Sequence, residues 1–81
     1  MKVIDRIKNA IIDDDFFISI YKNHIYVINY DDIIDFGDNK IKLRINENIF
    51  FIYGRDFKLI RKNNKELDIT GFFSKMETNN E

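Results

Sequence analysis

The sequence predicts an all-β protein, an antiparallel β-meander of six or seven short strands that follows one short N-terminal helix. Two observations predict this fold. From Phe16 onward, apolar and polar residues alternate with a period of two, which is typical of half-buried strands. The chain is also rich in Ile, Phe and Tyr, which fit a pleated surface. With 81 residues, it has room for one domain.

The helix is expected in the N-terminal segment 1–13. Apolar side chains recur there at helical spacing, at Val3, Ile4, Ile7 and Ile11. This spacing predicts an amphipathic helix over residues 2–12. The acidic run Asp13-Asp14-Asp15 is expected to end it, because carboxylates are unfavourable at the C-terminal end of the helix dipole.

The β domain is expected to span residues 14–77, with a frayed tail at 78–81. Its predicted strands are Phe16–Tyr21, Ile25–Tyr30, Ile33–Phe36, Lys40–Ile45, Ile49–Tyr53, Phe57–Ile60 and Leu67–Phe73. The alternation is clearest in the fourth of these strands. Its inward residues are expected to be Ile41, Leu43 and Ile45, and its outward residues Lys40, Lys42 and Arg44. Ile52, Leu59 and Ile69 are expected in the same core.

Glycines and asparagines recur every 17 residues. The residues at this interval are Gly37, Gly54 and Gly71, and Asn29, Asn46, Asn63 and Asn80. Both residue types tolerate the left-handed conformation of turns. We therefore interpret the three glycines as turn residues, and we expect Gly54 in a tight turn with positive φ. The spacing favours a continuous meander, with a short β-solenoid as the alternative.

Residue types that carry catalysis or bind metals are sparse. The chain has no cysteine, which excludes disulfides and thiolate metal sites. Its one histidine, His24, is expected in an exposed turn, and nothing marks Ser19 or Ser74 as an activated nucleophile. The acids from Asp31 to Asp38 lack the spacing of a calcium loop. We predict a protein that is not an enzyme and takes no cofactor, metal or small-molecule substrate; a hydrolase with paired carboxylates is a remote alternative.

Charge is distributed unevenly around a formal net charge of −1. Residues 40–65 contain eight basic and two acidic side chains, and both flanking segments are acidic. A positive patch is expected if the fold brings together Lys40, Lys42, Arg44, Arg55, Lys58, Arg61 and Lys62. Such a patch would contact an anionic membrane or an acidic region of a protein partner. Neutralisation by acids from the flanks is the alternative.

Some predicted strands are apolar on both faces, most clearly Ile49–Tyr53. The extra apolar surface indicates a second layer, a self-association face or a partner site, with Phe51 and Tyr53 as candidate contacts.

Nucleic-acid binding is the alternative function. Lysines line one strand face, and the aromatic residues available to stack on bases are Tyr26, Tyr30, Phe51 and Tyr53. The slightly acidic net charge weighs against this alternative.

The expected location is the cytoplasm. No apolar run approaches the roughly 20 residues of a membrane-spanning helix. Charges at Lys2, Asp5 and Arg6 interrupt the N-terminus where a signal peptide needs an apolar stretch. We expect a soluble protein, or one that another component holds at a membrane.

Four motifs occur in order along residues 16–77. They are His24-Ile25-Tyr26-Val27-Ile28-Asn29-Tyr30 followed by Ile33 and Phe36, then Ile41-Lys42-Leu43-Arg44, then Ile52-Tyr53-Gly54-Arg55-Asp56-Phe57, and last Glu66-Leu67-Asp68-Ile69-Thr70-Gly71. In order and spacing they resemble the YabP/YqfC family of small sporulation proteins. The segment Tyr26–Tyr30 resembles the YqfC branch of that family.

The resemblance implies a non-enzymatic role in endospore formation in a Firmicute-type bacterium. Such proteins act in the mother cell, during engulfment and during coat or cortex assembly at the forespore surface. The resemblance also implies a membrane-bound sporulation partner, YqfD-like for the YqfC branch or YabQ-like for the YabP branch. It supplies no catalytic residue. The chain would then be an adaptor in spore-envelope morphogenesis, cytoplasmic and peripheral at the forespore membrane.

Overall fold

The computed structural model describes residues 2–3, 9–12, 16–21 and 23–80, which form one antiparallel sheet. Its strands are β1 (Lys2–Val3), β2 (Asn9–Ile12), β3 (Phe17–Tyr21), β4 (His24–Ile28), β5 (Asp32–Phe36), β6 (Lys40–Ile45), β7 (Asn48–Lys62) and β8 (Glu66–Asn80). Their order across the sheet is β1-β2-β3-β4-β8-β7-β6-β5. The all-β, antiparallel meander is therefore confirmed. Because every pairing between the described strands is antiparallel, the solenoid alternative is wrong.

Two meanders, β1–β4 and β5–β8, meet where β8 pairs with β4. The sequence did not predict this pairing, which joins Ile25 to Ile69 and Val27 to Leu67 across about half of the chain. The connection from β4 to β5 is short. Along it, the Asn29 amide donates to the Lys65 carbonyl and the Asp31 amide donates to the Arg44 carbonyl. β4 therefore ends close to where β5 begins, although the two strands lie far apart in strand order.

The long hairpin β7–β8 bends the sheet into two layers. Its pairing shifts register at three places, between Tyr53 and Gly54, between Arg55 and Lys58, and between Leu59 and Arg61. Such bulges bend and twist strands. The first layer contains β1–β4 with residues 58–62 and 66–70, and the second contains β5 and β6 with residues 48–53 and 75–80.

One apolar core joins the layers. Its buried side chains come from both: Phe16, Ile18, Ile20, Ile25, Val27, Leu67 and Ile69 with Ile41, Leu43, Ile45, Phe50 and Ile52, closed by Tyr30 and Phe57. The rings of Phe16 and Phe50 meet edge to face at 5.6 Å between centroids, linking the two layers directly. Burial of apolar area on this scale is the main term that holds so short a chain together.

The predicted turn at Gly54 is wrong. Gly54 lies inside β7 and lacks a positive φ, so the predicted strands Ile49–Tyr53 and Phe57–Ile60 are parts of one strand. A Cβ on Gly54 would lie 2.6 Å from Cζ of Phe57, and one on Gly71 would lie 2.6 Å from Cδ1 of the same ring. The two glycines therefore leave room for a buried phenylalanine at the bend. Gly71 has φ 142°, and Gly37 lies in the β5–β6 turn.

The predicted register of the core is confirmed, with one exception. Buried residues include Ile41, Leu43, Ile45, Ile52 and Ile69, while Lys40 and Arg44 are exposed and Lys42 is half-buried. Leu59 was expected in the core but is 42% exposed. It lies opposite buried Ile69, yet the second half of β7 is the outer edge of the first layer, and no described strand covers its far side.

The N-terminal helix is not supported by the described residues. Lys2–Val3 and Asn9–Ile12, both within the predicted helix, are strands, and β2 pairs with β3; residues 4–8 lie outside the description. Isolated short helices are marginal in water, whereas a segment that pairs with β3 gains the hydrogen bonds of the sheet. At the other end, β8 continues to Asn80 and pairs with the start of β7, within the segment predicted as a frayed tail. None of the described residues form a helix long and apolar enough to cross a membrane.

Candidate interaction surface: the basic–aromatic face

The outward side of the second layer carries a surface that we call the basic–aromatic face: Lys40, Lys42, Phe51, Tyr53 and Lys75. Alternation along β6 and β7 turns Leu43 and Phe50 into the core and the lysines and remaining rings outward. Strand pairing then aligns these side chains in two rows. Lys40 lies opposite Tyr53, which lies opposite Lys75, and Lys42 lies opposite Phe51.

The lysines lie over the aromatic rings. Nζ of Lys42 is 5.4 Å from the centroid of Phe51, and Nζ of Lys40 is 5.5 Å from the same centroid. Nζ of Lys75 is 5.0 Å from the centroid of Tyr53, and Nζ of Lys40 is 5.8 Å from it. These are cation–π distances. Two half-buried rings thus hold three ammonium groups together on one face.

Acidic neighbours neutralise part of the charge. Arg44 pairs with Asp32 at 3.4 Å, and Lys75 pairs with Glu77 at 3.5 Å. The Tyr53 hydroxyl also reaches the Glu77 carboxylate at 3.4 Å. Lys40 and Lys42, in contrast, form no ion pair with any residue that the structure describes. Asp35 lies opposite Lys42 in β5 and Glu77 lies opposite Phe51 in β8, so an anionic group that approaches this face meets two lysines without an ion pair and also neighbouring carboxylates.

The remaining basic residues of the predicted patch lie elsewhere. Arg55 lies at the bend, with its guanidinium 4.4 Å from the Phe72 centroid and 3.4 Å from Asp56. Lys58 and Arg61 belong to the first layer, opposite Thr70 and Asp68.

Acids from the C-terminal flank neutralise part of this second group. Arg61 lies 3.8 Å from Glu66 and 3.9 Å from Asp68. The seven predicted residues therefore do not share one surface. The lysines Lys40 and Lys42 remain together with Phe51 and Tyr53.

The predicted base-stacking residues separate in the same way. Tyr30 is buried, and its hydroxyl donates to the Asn63 carbonyl at 2.7 Å. Tyr26 lies opposite Asp68 in the first layer. Only Phe51 and Tyr53 join the lysines. Phe51 and Tyr53 lie on the same side of the sheet because side chains alternate along β7, and this alternation was visible in the sequence.

The sequence did not predict two of the side-chain contacts in the structure. Lys75 was placed beyond the last predicted strand, which ended at Phe73, so nothing indicated that it would lie beside Tyr53. His24 is the first residue of β4, and its Nε2 contacts Oδ1 of Asp68 in β8. That contact depends on the β4–β8 pairing. Among the described residues, no three metal-ligating side chains come together.

Comparison with family models, with curated proteins and with solved structures finds no match to this chain.

Proposed function

We propose that the chain is a non-enzymatic adaptor in spore-envelope morphogenesis, and that its basic–aromatic face binds an acidic segment of a membrane-bound sporulation partner, YqfD-like or YabQ-like. The sporulation context comes from the four sequence motifs that resemble the YabP/YqfC family. The observation that carries the binding mode is the pair Lys40 and Lys42, which lie over Phe51 and form no ion pair with any described residue.

Acidic side chains suit this face chemically. A carboxylate can replace water around the lysine ammonium groups, while an apolar neighbour in the same segment covers the rings. Exposed charge pairs contribute little affinity individually, but complementary potentials raise the association rate and select the partner. Binding should therefore weaken as salt rises, because the contacts are exposed and screened.

Single-stranded nucleic acid is the second candidate. The observation that favours it is the presence of two neighbouring rings, Phe51 and Tyr53, on the same sheet face as the lysines. Proteins that bind single strands without sequence preference combine basic grooves with such stacking platforms. In that case the rings, rather than the lysines, would supply most of the base contact.

Equilibrium titrations with three probes separate these functions. The probes are a glutamate-rich peptide, a single-stranded oligonucleotide and vesicles that contain anionic lipid. We expect the glutamate-rich peptide to bind at low salt, and the double variant Lys40→Glu/Lys42→Glu to lose this binding. Lys65→Glu is the control for position, since it reverses a charge on an exposed residue outside the basic–aromatic face.

Each outcome decides between the candidates. Binding of the oligonucleotide alone, lost in Phe51→Ala, would replace the adaptor proposal by nucleic-acid binding. Binding of vesicles alone would assign the face to a lipid surface. Peptide binding that survives the double reversal, or is insensitive to salt, would refute the basic–aromatic face as the contact. Unchanged melting temperatures of the variants show that the fold is intact.

A further inference from the structure

Two free edges of the sheet carry opposite charge. The acidic edge is Asp32-Ile33-Ile34-Asp35 in β5, which pairs with β6 on one side. The basic edge is Lys58-Leu59-Ile60-Arg61 in the second half of β7, which pairs with β8 on one side. On their other sides, neither edge pairs with any strand that the structure describes. Each therefore presents unpaired backbone groups along its length.

The two edges are built alike. Each contains a register shift, between Ile33 and Asp35 in one and between Leu59 and Arg61 in the other. The extra residue at each shift is an isoleucine. Ile34 is 38% exposed and Ile60 is 59% exposed, and Leu59 beside it is 42% exposed. These are three of the large apolar residues that the described surface leaves in solvent.

Charge spacing on the two edges also matches. Asp32 and Asp35 lie opposite Arg44 and Lys42 of β6, on the outward side of the second layer. Arg61 lies opposite Asp68 on the outward side of the first layer, and Lys58 lies opposite Thr70. Asp32 and Arg61 already form ion pairs with Arg44 and Asp68, so the charges without an ion pair among the described residues are Asp35 and Lys58. In each edge the two charged residues are three positions apart, with two apolar residues between them.

We propose that the basic edge of one copy of this chain docks along the acidic edge of another and extends the sheet between molecules. An antiparallel alignment brings Asp35 beside Lys58 and Asp32 beside Arg61. It also brings Ile34 beside Leu59 and covers exposed apolar surface on both copies. This inference does not rest on the proposed function, because it uses neither ring of the basic–aromatic face.

Bulges and charges often protect an edge against such pairing. Here the charges are of opposite sign on the two edges, so they disfavour pairing of like edges and favour pairing of unlike ones. A contact between two different surfaces is heterologous, and it generates rings if the rotation closes or open chains if it does not. Association should therefore proceed beyond a dimer as concentration rises.

Sedimentation of the whole chain over a wide range of concentration tests this contact. We expect wild-type protein to associate, and high salt to weaken association. The single variants Asp35→Lys and Lys58→Asp should each lower the association constant by about tenfold or more, since each places like charges together. An equimolar mixture of the two variants should associate again, because each reversed edge then meets its complement. Glu47→Lys and Lys65→Asp are the matched controls, on residues outside both edges.

The equimolar mixture of Asp35→Lys and Lys58→Asp is the most informative of these measurements. A wild-type protein that stays monomeric at every concentration overturns the proposal. Association that survives both single reversals, or a mixture that fails to associate while both variants are folded, also overturns it. If Asp35→Lys does not fold, Asp35→Asn replaces it, with a smaller loss of association as the expected result and no loss as the contradictory one.

Discussion

At the scale of single residues, three features explain why glycine occurs at the bend: the ring of Phe57, the Phe72 carbonyl next to Gly54 and the positive φ of Gly71. Phe57 is 3% exposed and packs where a Cβ on either Gly54 or Gly71 would collide with it. The sequence identified both positions as special but assigned them to turns, because glycine serves close approach and left-handed backbone alike. The periodicity of the sequence cannot distinguish a close approach from a left-handed backbone, because it does not show which residues lie on the neighbouring strand.

The close approach at Gly54 predicts a large loss from a single methyl group. Gly54→Ala should lower the free energy of unfolding by about 1–3 kcal/mol or more, because the new Cβ meets both the Phe57 ring and the Phe72 carbonyl. Gly37→Ala is the control, since a Cβ there would lie 3.4 Å from the Lys40 carbonyl oxygen. It should change stability by about 1 kcal/mol or less. Denaturant unfolding measures both, and equal effects would contradict the assigned role of Gly54.

Glu47 offers the opposite case, a residue whose backbone suits glycine. The β6–β7 turn has φ 52° at Asn46 and 70° at Glu47, as in a type I′ hairpin turn. Glu47→Gly should therefore stabilise the protein by roughly 1 kcal/mol, because a non-glycine residue is strained in this region. Glu47→Ala removes the same carboxylate without relieving the backbone and should give no gain. A gain of equal size in both variants would assign the effect to the side chain.

At the scale of elements, local patterns predicted some strands well and others poorly. Lys40–Ile45 has the predicted bounds and register, since strict alternation and a two-residue turn define it. The hairpin β7–β8 was divided wrongly, because bulges interrupt its alternation. The pairing of β4 with β8 is non-local, and no short-range pattern in the sequence encodes it.

The contrast between Leu43 and Leu59 tests this account of the edges. Both were expected in the core, but Leu43 is fully buried and Leu59 lies at the free edge of β7. Leu43→Ala should destabilise by about 2–5 kcal/mol, and Leu59→Ala by about 1 kcal/mol or less. Comparable losses in thermal or denaturant unfolding would show that the edge of β7 is covered.

At the scale of the whole molecule, one bent hairpin lets a small sheet cover its own apolar face. The sequence indicated extra apolar surface and left a second layer, self-association and a partner site open. Burial of Phe50 against Phe16 shows that a second layer accounts for much of it. The basic middle segment between acidic flanks was visible in the sequence. The fold divides its basic residues between the two layers, and the sequence could not show this division.

A core shared by both layers predicts a single unfolding unit. The amides of Ile25 in β4 and Leu43 in β6 should exchange with solvent through the same opening, with similar free energies, because their side chains belong to one cluster. Native-state hydrogen exchange measures this. If the β6 amides remain protected under conditions in which the β4 amides open, the layers are separate units.

The proposal that the basic–aromatic face recruits a membrane-bound sporulation partner can be tested in cell extracts. Its most direct test is quantitative capture from the membrane fraction of sporulating cells, with wild-type chain, Lys40→Glu/Lys42→Glu and Lys65→Glu as baits. We expect the wild-type and Lys65→Glu baits to enrich the same membrane protein of the sporulation programme, and the double reversal to lose it. Equal recovery with all three baits, or no membrane protein enriched by the wild-type bait, would contradict the claim.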